Sequence, residues 1–214
     1  MTLRRSLIDG ASAFGIALTE EQADSCLVYL VELEKWNRKI NLTAIRGERE
    51  IVIKHFIDSF SYVKGFDPRP GMALLDMGSG AGFPALPVKI AFPGLFVTMV
   101  ESVRKKATFL RHIIRTLKIE GALVLDSRTD SLPDTYRSSC DVVTARAFAE
   151  MGTALKEGTV FLKPGGLMVL SRGPEETISG EAAACHGMAL ESRLDLNLPI
   201  SGDPRAIWIF RKRA

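Results

Sequence analysis

The chain has 214 residues, 46% hydrophobic and 25% charged, with a net charge of +3. That length suits one domain, or one domain with a terminal extension, and can bury a core without disulfides or metal. The composition is that of an ordinary globular protein, and the mild positive charge permits a polyanionic partner without requiring one. Cys26, Cys140 and Cys185 are odd in number and far apart, which argues against a disulfide framework and a zinc cluster alike. No apolar run follows Arg4 and Arg5, so no signal peptide is expected. Nothing approaches the roughly 20 apolar residues of a membrane span. A soluble cytoplasmic protein, free of metal and membrane, is the expectation.

The first 65 residues read as helical. Residues 3–15 predict a short helix that Gly15 ends. Thr19 and Gln22 fit a capping box, and the helix behind them runs to about Lys39 with Ala23, Leu27, Leu30 and Val31 on its apolar face. Asn41-Leu42-Thr43 breaks it. Val52, Phe56, Phe60 and Val63 then recur at helical spacing over 47–63. Asp67-Pro68-Arg69-Pro70-Gly71 is a turn cluster, dividing an extension at 1–66 from a core at 67–214. Beyond it, apolar runs at 72–76, 96–101, 122–126, 141–145 and 167–171 alternate with amphipathic segments at 84–92, 102–118, 148–162 and 174–185. Strand–helix alternation predicts an α/β fold, a mostly parallel sheet with helices on both faces. Two further strands, 188–196 and 206–211, have only a loop between them, so they should pair antiparallel at the end of the sheet. Such an ending is typical of a Rossmann-like class I methyltransferase using S-adenosylmethionine.

The segment Leu74-Leu75-Asp76-Met77-Gly78-Ser79-Gly80-Ala81-Gly82-Phe83-Pro84 joins a strand to a helix through a glycine loop. Open α/β sheets bind ligands at this carboxyl edge. Phe83 stands where the dinucleotide fingerprint needs its last glycine, and a Walker lysine is missing. An amino-acid tail could instead meet the loop N–H groups and Asp76. The second strand ends at Glu101, suited to accept the hydroxyls of a ribose, and the third runs into Asp126-Ser127-Arg128-Thr129-Asp130, expected beside an adenine. Taken singly, the loop is also a structural turn, Glu101 a helix-start acid and Asp130 a loop carboxylate. Their order along the chain describes a nucleoside pocket.

With these residues in place, the sequence resembles the bacterial 16S rRNA guanine-N7 methyltransferases, the glucose-inhibited division protein B family. The segments that carry the resemblance are WNRKINLTAI (36–45), HFIDSF (55–60), LDMGSGAGFP (75–84), VESVRKKATFL (100–110), VTARAFA (143–149) and LKPGG (162–166). The resemblance implies S-adenosylmethionine as cofactor, S-adenosylhomocysteine as product, and 16S rRNA or the small subunit as partner. It also implies a cofactor pocket lined by Gly78, Phe83, Thr129, Asp130 and Arg146, to which the loop pattern adds Asp76, Gly80 and Glu101. The chain departs from the family pattern at Ala85, at Thr129-Asp130 and at Arg172. A monomer is expected.

Guanine N7 offers a lone pair at neutral pH, so the chemistry needs no general base. Catalysis then rests on positioning, with Arg146 the residue expected to join cofactor and base. This suits a sequence whose histidines, His55, His112 and His186, are scattered. His55 and Asp58 share a predicted helix, as a polar contact near the pocket or as a packed pair. Phe83 and Phe148 are candidate stacking groups for an unstacked base, or core residues. Arg104, Arg111, Arg115 and Lys118 fall on one face of the 102–118 helix, opposite a seam of Val103, Ala107, Leu110, Ile114 and Leu117. With Lys105 and Lys106 they would rim the cofactor mouth and contact phosphates; Arg104, Lys105, Lys106 and Arg111 are the RNA candidates. Two other readings remain open here: a methyltransferase acting on a small molecule or protein, and a non-catalytic nucleotide-binding module.

Overall fold

The computed structural model describes residues 2–146, 148–173 and 175–213. Residue 147, within the 143–149 motif, and residue 174, the expected start of a helix, lie outside the described residues. The chain opens with α1 (Leu3–Ala13) and α2 (Glu20–Ile40). The capping box at the start of α2 forms as predicted: the Gln22 N–H donates to Thr19 Oγ1 at 3.2 Å and the Thr19 N–H to Gln22 Oε1 at 2.9 Å. The segment expected as one α-helix is composite. It comprises α3 (Glu48–Ile51), a wide π-helical turn (Val52–Ile57), α4 (Asp58–Phe60) and a tight 3-10 turn (Ser61–Gly65).

The sheet then builds through β1 (Ala73–Met77), β2 (Phe96–Glu101), β3 (Ala122–Asp126), β4 (Cys140–Arg146), β5 (Leu162–Arg172), β6 (Met188–Asn197) and β7 (Pro204–Lys212). Its spatial order is β3-β2-β1-β4-β5-β7-β6. The first five strands pair in parallel, and β7 pairs antiparallel with both β5 and β6. The helices α5 (Ala85–Ala91), α6 (Arg104–Thr116), α7 (Met151–Gly158) and α8 (Gly180–Ala184) connect them. The α7 and α8 helices are shorter than expected, while β5 begins at Leu162 and runs through the Pro164-Gly165-Gly166 stretch.

Side chains alternate between the two faces of a strand, and this sorts the core. Leu74, Val97, Val142, Val169, Ile207 and Ile209 face one cluster, shared with Leu7, Leu30, Phe56 and Phe60 of the N-terminal helices. Leu75, Met77, Val143, Met168, Leu170 and Phe210 face the other, under Ala154 and Leu155 of α7. The helices of residues 3–65 thus cover a sheet face. Polar links reinforce the contact: Gln22 Nε2 donates to the Ile90 and Ala91 carbonyls, the Tyr29 hydroxyl to the Ala81 carbonyl, and His112 Nε2 meets Glu32 Oε2 at 2.6 Å. On α6 the buried seam is Ala107, Phe109, Leu110 and Ile113. Val103, expected in it, is 46% exposed, because it caps the helix start instead of lying on its inner face.

Candidate functional site at the carboxyl edge of the sheet

Strand alternation fixes what the carboxyl edge presents. On the face covered by the N-terminal helices, Asp76 ends the run begun by Leu74, and Thr144 and Arg146 continue the run begun by Val142. Registers Asp76↔Thr144 and Asp76↔Met99 place these strands side by side. The Thr144 hydroxyl donates to Asp76 Oδ1 at 2.7 Å. The second oxygen, Oδ2, is buried with no partner among the described residues. Asp76 is fully buried, and burial pushes its pKa up to about 6. Such a group is costly unless an opposite charge meets it.

The glycine loop follows at once. Ser79 N–H donates to the Val100 carbonyl at 3.0 Å and Gly82 N–H to the Ser79 carbonyl at 2.7 Å. Glu101, 5% exposed, closes the loop from the neighbouring strand: Oε2 accepts from Gly80 N–H at 2.8 Å and Oε1 from Val103 N–H at 2.7 Å. One carboxylate therefore ties the loop to the start of α6. Each oxygen keeps a second lone pair for a further donor.

Gly78, Thr129 and Asp130 line one cleft of about 160 Å³, together with Val100, Ser102, Ser127, Arg128, Phe148 and Glu157. Gly78 has φ +63°, and a Cβ there would lie 2.6 Å from the Phe148 ring. Phe148, a candidate for base stacking, thus packs on the glycine loop and narrows the cleft. Thr129 is buried, whereas Asp130 is exposed and paired to Arg128 at 3.2 Å. Ser102 and Glu157 are additions to the expected lining; Ser102 directly follows the end of β2, which is the signal that could have found it.

Phe83 and Arg146, two of the expected site residues, have partners that the sequence did not indicate. The Phe83 ring is only 3% exposed: it lies between Tyr29 and His55, stacked on both, with centroids at 5.2 and 4.5 Å. It packs between the extension and the loop and is not among the residues that line the 160 Å³ cleft. Arg146 finds its carboxylate partner in Asp58, at 3.6 Å. Neither Asp76 nor Glu150 forms an ion pair with it among the described residues. Arg146 also donates from Nη1 to the Lys54 carbonyl at 3.3 Å and from Nη2 to His55 Nδ1 at 3.0 Å, with its guanidinium carbon 5.3 Å from the Phe83 centroid. Asp58 is shared with Arg205 of β7 at 3.0 Å. The second corner of the site is thus built from residues far apart in the chain.

The candidate phosphate contacts are a mixed set. Arg104 and Lys105 are exposed and Lys106 is half-buried. Arg111 donates to the Val124 carbonyl at 3.3 Å and stands 4.0 Å from Asp126, so β3 holds it in part. Among the described residues, no group of three His, Cys, Asp or Glu side chains is placed to hold a metal ion, and no helix is long and apolar enough to cross a membrane.

Solved structures share this architecture. P. horikoshii TYW2 in complex with MeSAdo matches with a TM-score of 0.55 at 15% identity, over 74% of this chain and 61% of that one. A variant of the 16S rRNA (adenine(1408)-N(1))-methyltransferase from Catenulisporales acidiphilia matches with a TM-score of 0.57 at 13% identity, over 74% and 92%. At such identities the likeness speaks for the fold alone. Sequence relatives are much nearer. The Ribosomal RNA small subunit methyltransferase G of Acetivibrio thermocellus is 38% identical over 99% of this chain and 89% of its own length, and that of Geobacter sp. strain M21 is 39% identical over 94% and 93%. The model of the family described as GidB, rRNA small subunit methyltransferase G, matches residues 22–204, and to that family this chain belongs.

Proposed function

We propose that this chain transfers a methyl group from S-adenosylmethionine to N7 of a guanine in bacterial 16S ribosomal RNA, in the cytoplasm. Family membership over residues 22–204 carries the reading. The site's own test of fit is the buried, unpartnered Asp76 Oδ2 beside the glycine loop. A cofactor with a cationic amino-acid end supplies the missing opposite charge there. Glu101 has lone pairs left for ribose hydroxyls, and Thr129 and Asp130 border the cleft where an adenine would lie.

When bound, S-adenosylmethionine supplies an activated methyl group. The protein's task is then to place the base and exclude alternatives. No side chain has to remove a proton, because guanine N7 presents its lone pair at neutral pH. Orientation of the two reactants can contribute as much as roughly 7–11 kcal/mol. N7 of a paired guanine faces the deep groove of A-form RNA, which side chains enter poorly, so the target base is unstacked when it is methylated. Arg146 faces this edge as a planar donor. The exposed Arg104 and Lys105 and the half-buried Lys106 supply phosphate contacts on the adjoining helix start.

The test is methyl transfer to ribosomal RNA purified from cells that lack the activity, followed by mapping of the product. A single N7-methylguanine in 16S rRNA is expected. Transfer to another nucleotide position, or none to RNA, overturns the reading.

A further inference from the structure

A cluster of polar side chains gathers where Arg146, at the end of β4, meets the π-helical turn. In an α-helix the Asp58 N–H would bond to the carbonyl four residues back, that of Lys54. Here it is taken by the Ile53 and His55 carbonyls. The wide turn leaves the Lys54 carbonyl free for a side chain, and Arg146 Nη1 takes it at 3.3 Å. Wide turns of this kind are frequent at functional sites. The same turn presents His55 Nδ1 to Arg146 Nη2 at 3.0 Å and Asp58 Oδ2 to Nη1 at 3.6 Å.

The chemistry of arginine decides the state of the histidine. A guanidinium only donates, so His55 Nδ1 must accept. The ring is therefore neutral, with its proton on Nε2, and that proton goes to Thr43 Oγ1 at 2.7 Å. Thr43 is itself fixed. Asn37 accepts from the Leu42 and Thr43 N–H groups at 2.6 and 3.0 Å and donates to the Thr43 carbonyl at 2.9 Å. The Ile45 N–H donates to Thr43 Oγ1 at 3.1 Å. The imidazole is 6% exposed and stacked on Phe83 at 11°. Burial, and then the Arg146 charge, push its pKa down to about 3, so it stays neutral through the working range.

We propose that His55 is a positioning residue: locked as the Nε2–H tautomer by Thr43, it aims the Arg146 guanidinium at the methyl-transfer site, and the π-helical turn exists to form that grip. This rests on Arg146 serving that site, as argued above. The grip leaves the Arg146 Nε–H without a partner among the described residues, on a side chain that is 21% exposed.

Two amides separate aiming from packing. His55→Asn puts an oxygen near the place of Nδ1 and keeps the acceptor for Arg146; His55→Gln puts its terminal atoms near Nε2 and loses that acceptor. Both lose the ring stack, so both should melt at similarly lowered temperatures. Single-turnover methylation of 16S rRNA should stay within about threefold of the parent for His55→Asn and fall about tenfold or more for His55→Gln, with S-adenosylhomocysteine affinity little changed in either. Equal losses in the two variants, or none, overturn the proposal. Should either variant fail to fold, Thr43→Val removes the tautomer lock together with the acceptor for the Ile45 N–H and should lower the rate without changing cofactor affinity, whereas Thr43→Ser keeps both contacts and the parent's rate; an unchanged rate in Thr43→Val overturns the proposal. A second readout does not depend on turnover. Nitrogen NMR at pH 7 should find a neutral His55 with its proton on Nε2, and a slowed Arg146 guanidinium that is retained in His55→Asn and freed in His55→Gln. A protein that methylates no rRNA but shows these signals refutes the functional reading and not the grip. An Nδ1–H tautomer refutes the grip.

Discussion

Asp76→Asn should make the protein more stable and less able to bind its cofactor, and pH should control both effects. In the folded protein the carboxyl is fully buried and its pKa moves from the ordinary 3.8 to about 6. A raised pKa means the fold holds the proton more tightly than the unfolded chain does. The penalty is absent below pH 3.8, grows between 3.8 and 6, and is complete above 6. At about 1.36 kcal/mol per pH unit it reaches about 3 kcal/mol at pH 7.5 and only about 1 kcal/mol at pH 4.5. Asparagine cannot ionise and keeps the oxygen that accepts from Thr144. Its amide N–H inherits the unpaired position and offsets about 1 kcal/mol at either pH. The double difference, variant minus parent and pH 7.5 minus pH 4.5, should therefore be about 2 kcal/mol, a change of roughly 4–8 °C in relative melting temperature. Urea unfolding at the two pH values measures it directly. Calorimetry should add that S-adenosylhomocysteine binds the parent more tightly as pH rises from 5 to 7, on the order of tenfold, because its ammonium needs the ionised carboxylate. The Asn variant should bind weakly at both. Superimposable pH–stability curves for the two proteins would refute the argument.

Gly78→Ala adds a Cβ 2.6 Å from the Phe148 ring at a residue with φ +63°, so cofactor affinity should fall about tenfold or more, roughly 1.4 kcal/mol, in a protein that still folds. Calorimetry with S-adenosylhomocysteine decides it, and unchanged affinity removes Gly78 from the site. Glu101→Ala should abolish discrimination between the cofactor and its 2′-deoxy analogue, whereas a ribose preference equal to the parent's assigns Glu101 to loop closure alone. Replacing Lys105 and Lys106 with alanine should lower RNA affinity and flatten its dependence on salt by about one to two ion equivalents; equal slopes would make them ordinary solvated lysines. Arg146→Lys, with charge unchanged, should slow single-turnover methylation about tenfold or more, since lysine cannot reach Lys54 and His55 as a planar fork. Normal turnover with a lower melting point would mark Arg146 as structural.

What the sequence made legible was the local and the periodic. Thr19 and Gln22 sit three residues apart, so their capping box needed no tertiary knowledge. The buried strands read as apolar runs because both faces are covered, and the loop between the last two strands announced their antiparallel pairing. Asp76, the glycines and Glu101 could be placed because strand ends and ligand edges coincide in this class of sheet. The π-helical turn could not be read: Val52, Phe56 and Phe60 satisfy α-helical spacing, and the extra residue per turn is stabilised by Arg146, far along the chain. For the same reason Asp58 was missed as the partner of Arg146, and Arg205 as the second claimant on Asp58. The sequence of a loop does not say which way a ring turns, so the packing of Phe83 against Tyr29 and His55 was not legible either. Residues 163–166 fell between the expected helix and the expected strand because proline and glycine weaken strands; β5 nonetheless begins at Leu162, which pairs with Cys140, and the register with β4 shifts before Leu167.

The sheet order has a consequence for how the chain is made. Strand β7 lies between β5 and β6, both of which leave the ribosome before it. Until residues 204–212 emerge, β5 is an open edge, β6 has nothing to pair with, and Arg205 is not there to hold Asp58. A nascent chain halted just before this point carries most of its apolar surface but cannot close its sheet, and an exposed edge invites pairing with other chains. The corner that holds Arg146 is completed by a segment synthesised after the other six strands, so a chain cut short before it should lack the assembled site even where its glycine loop is intact.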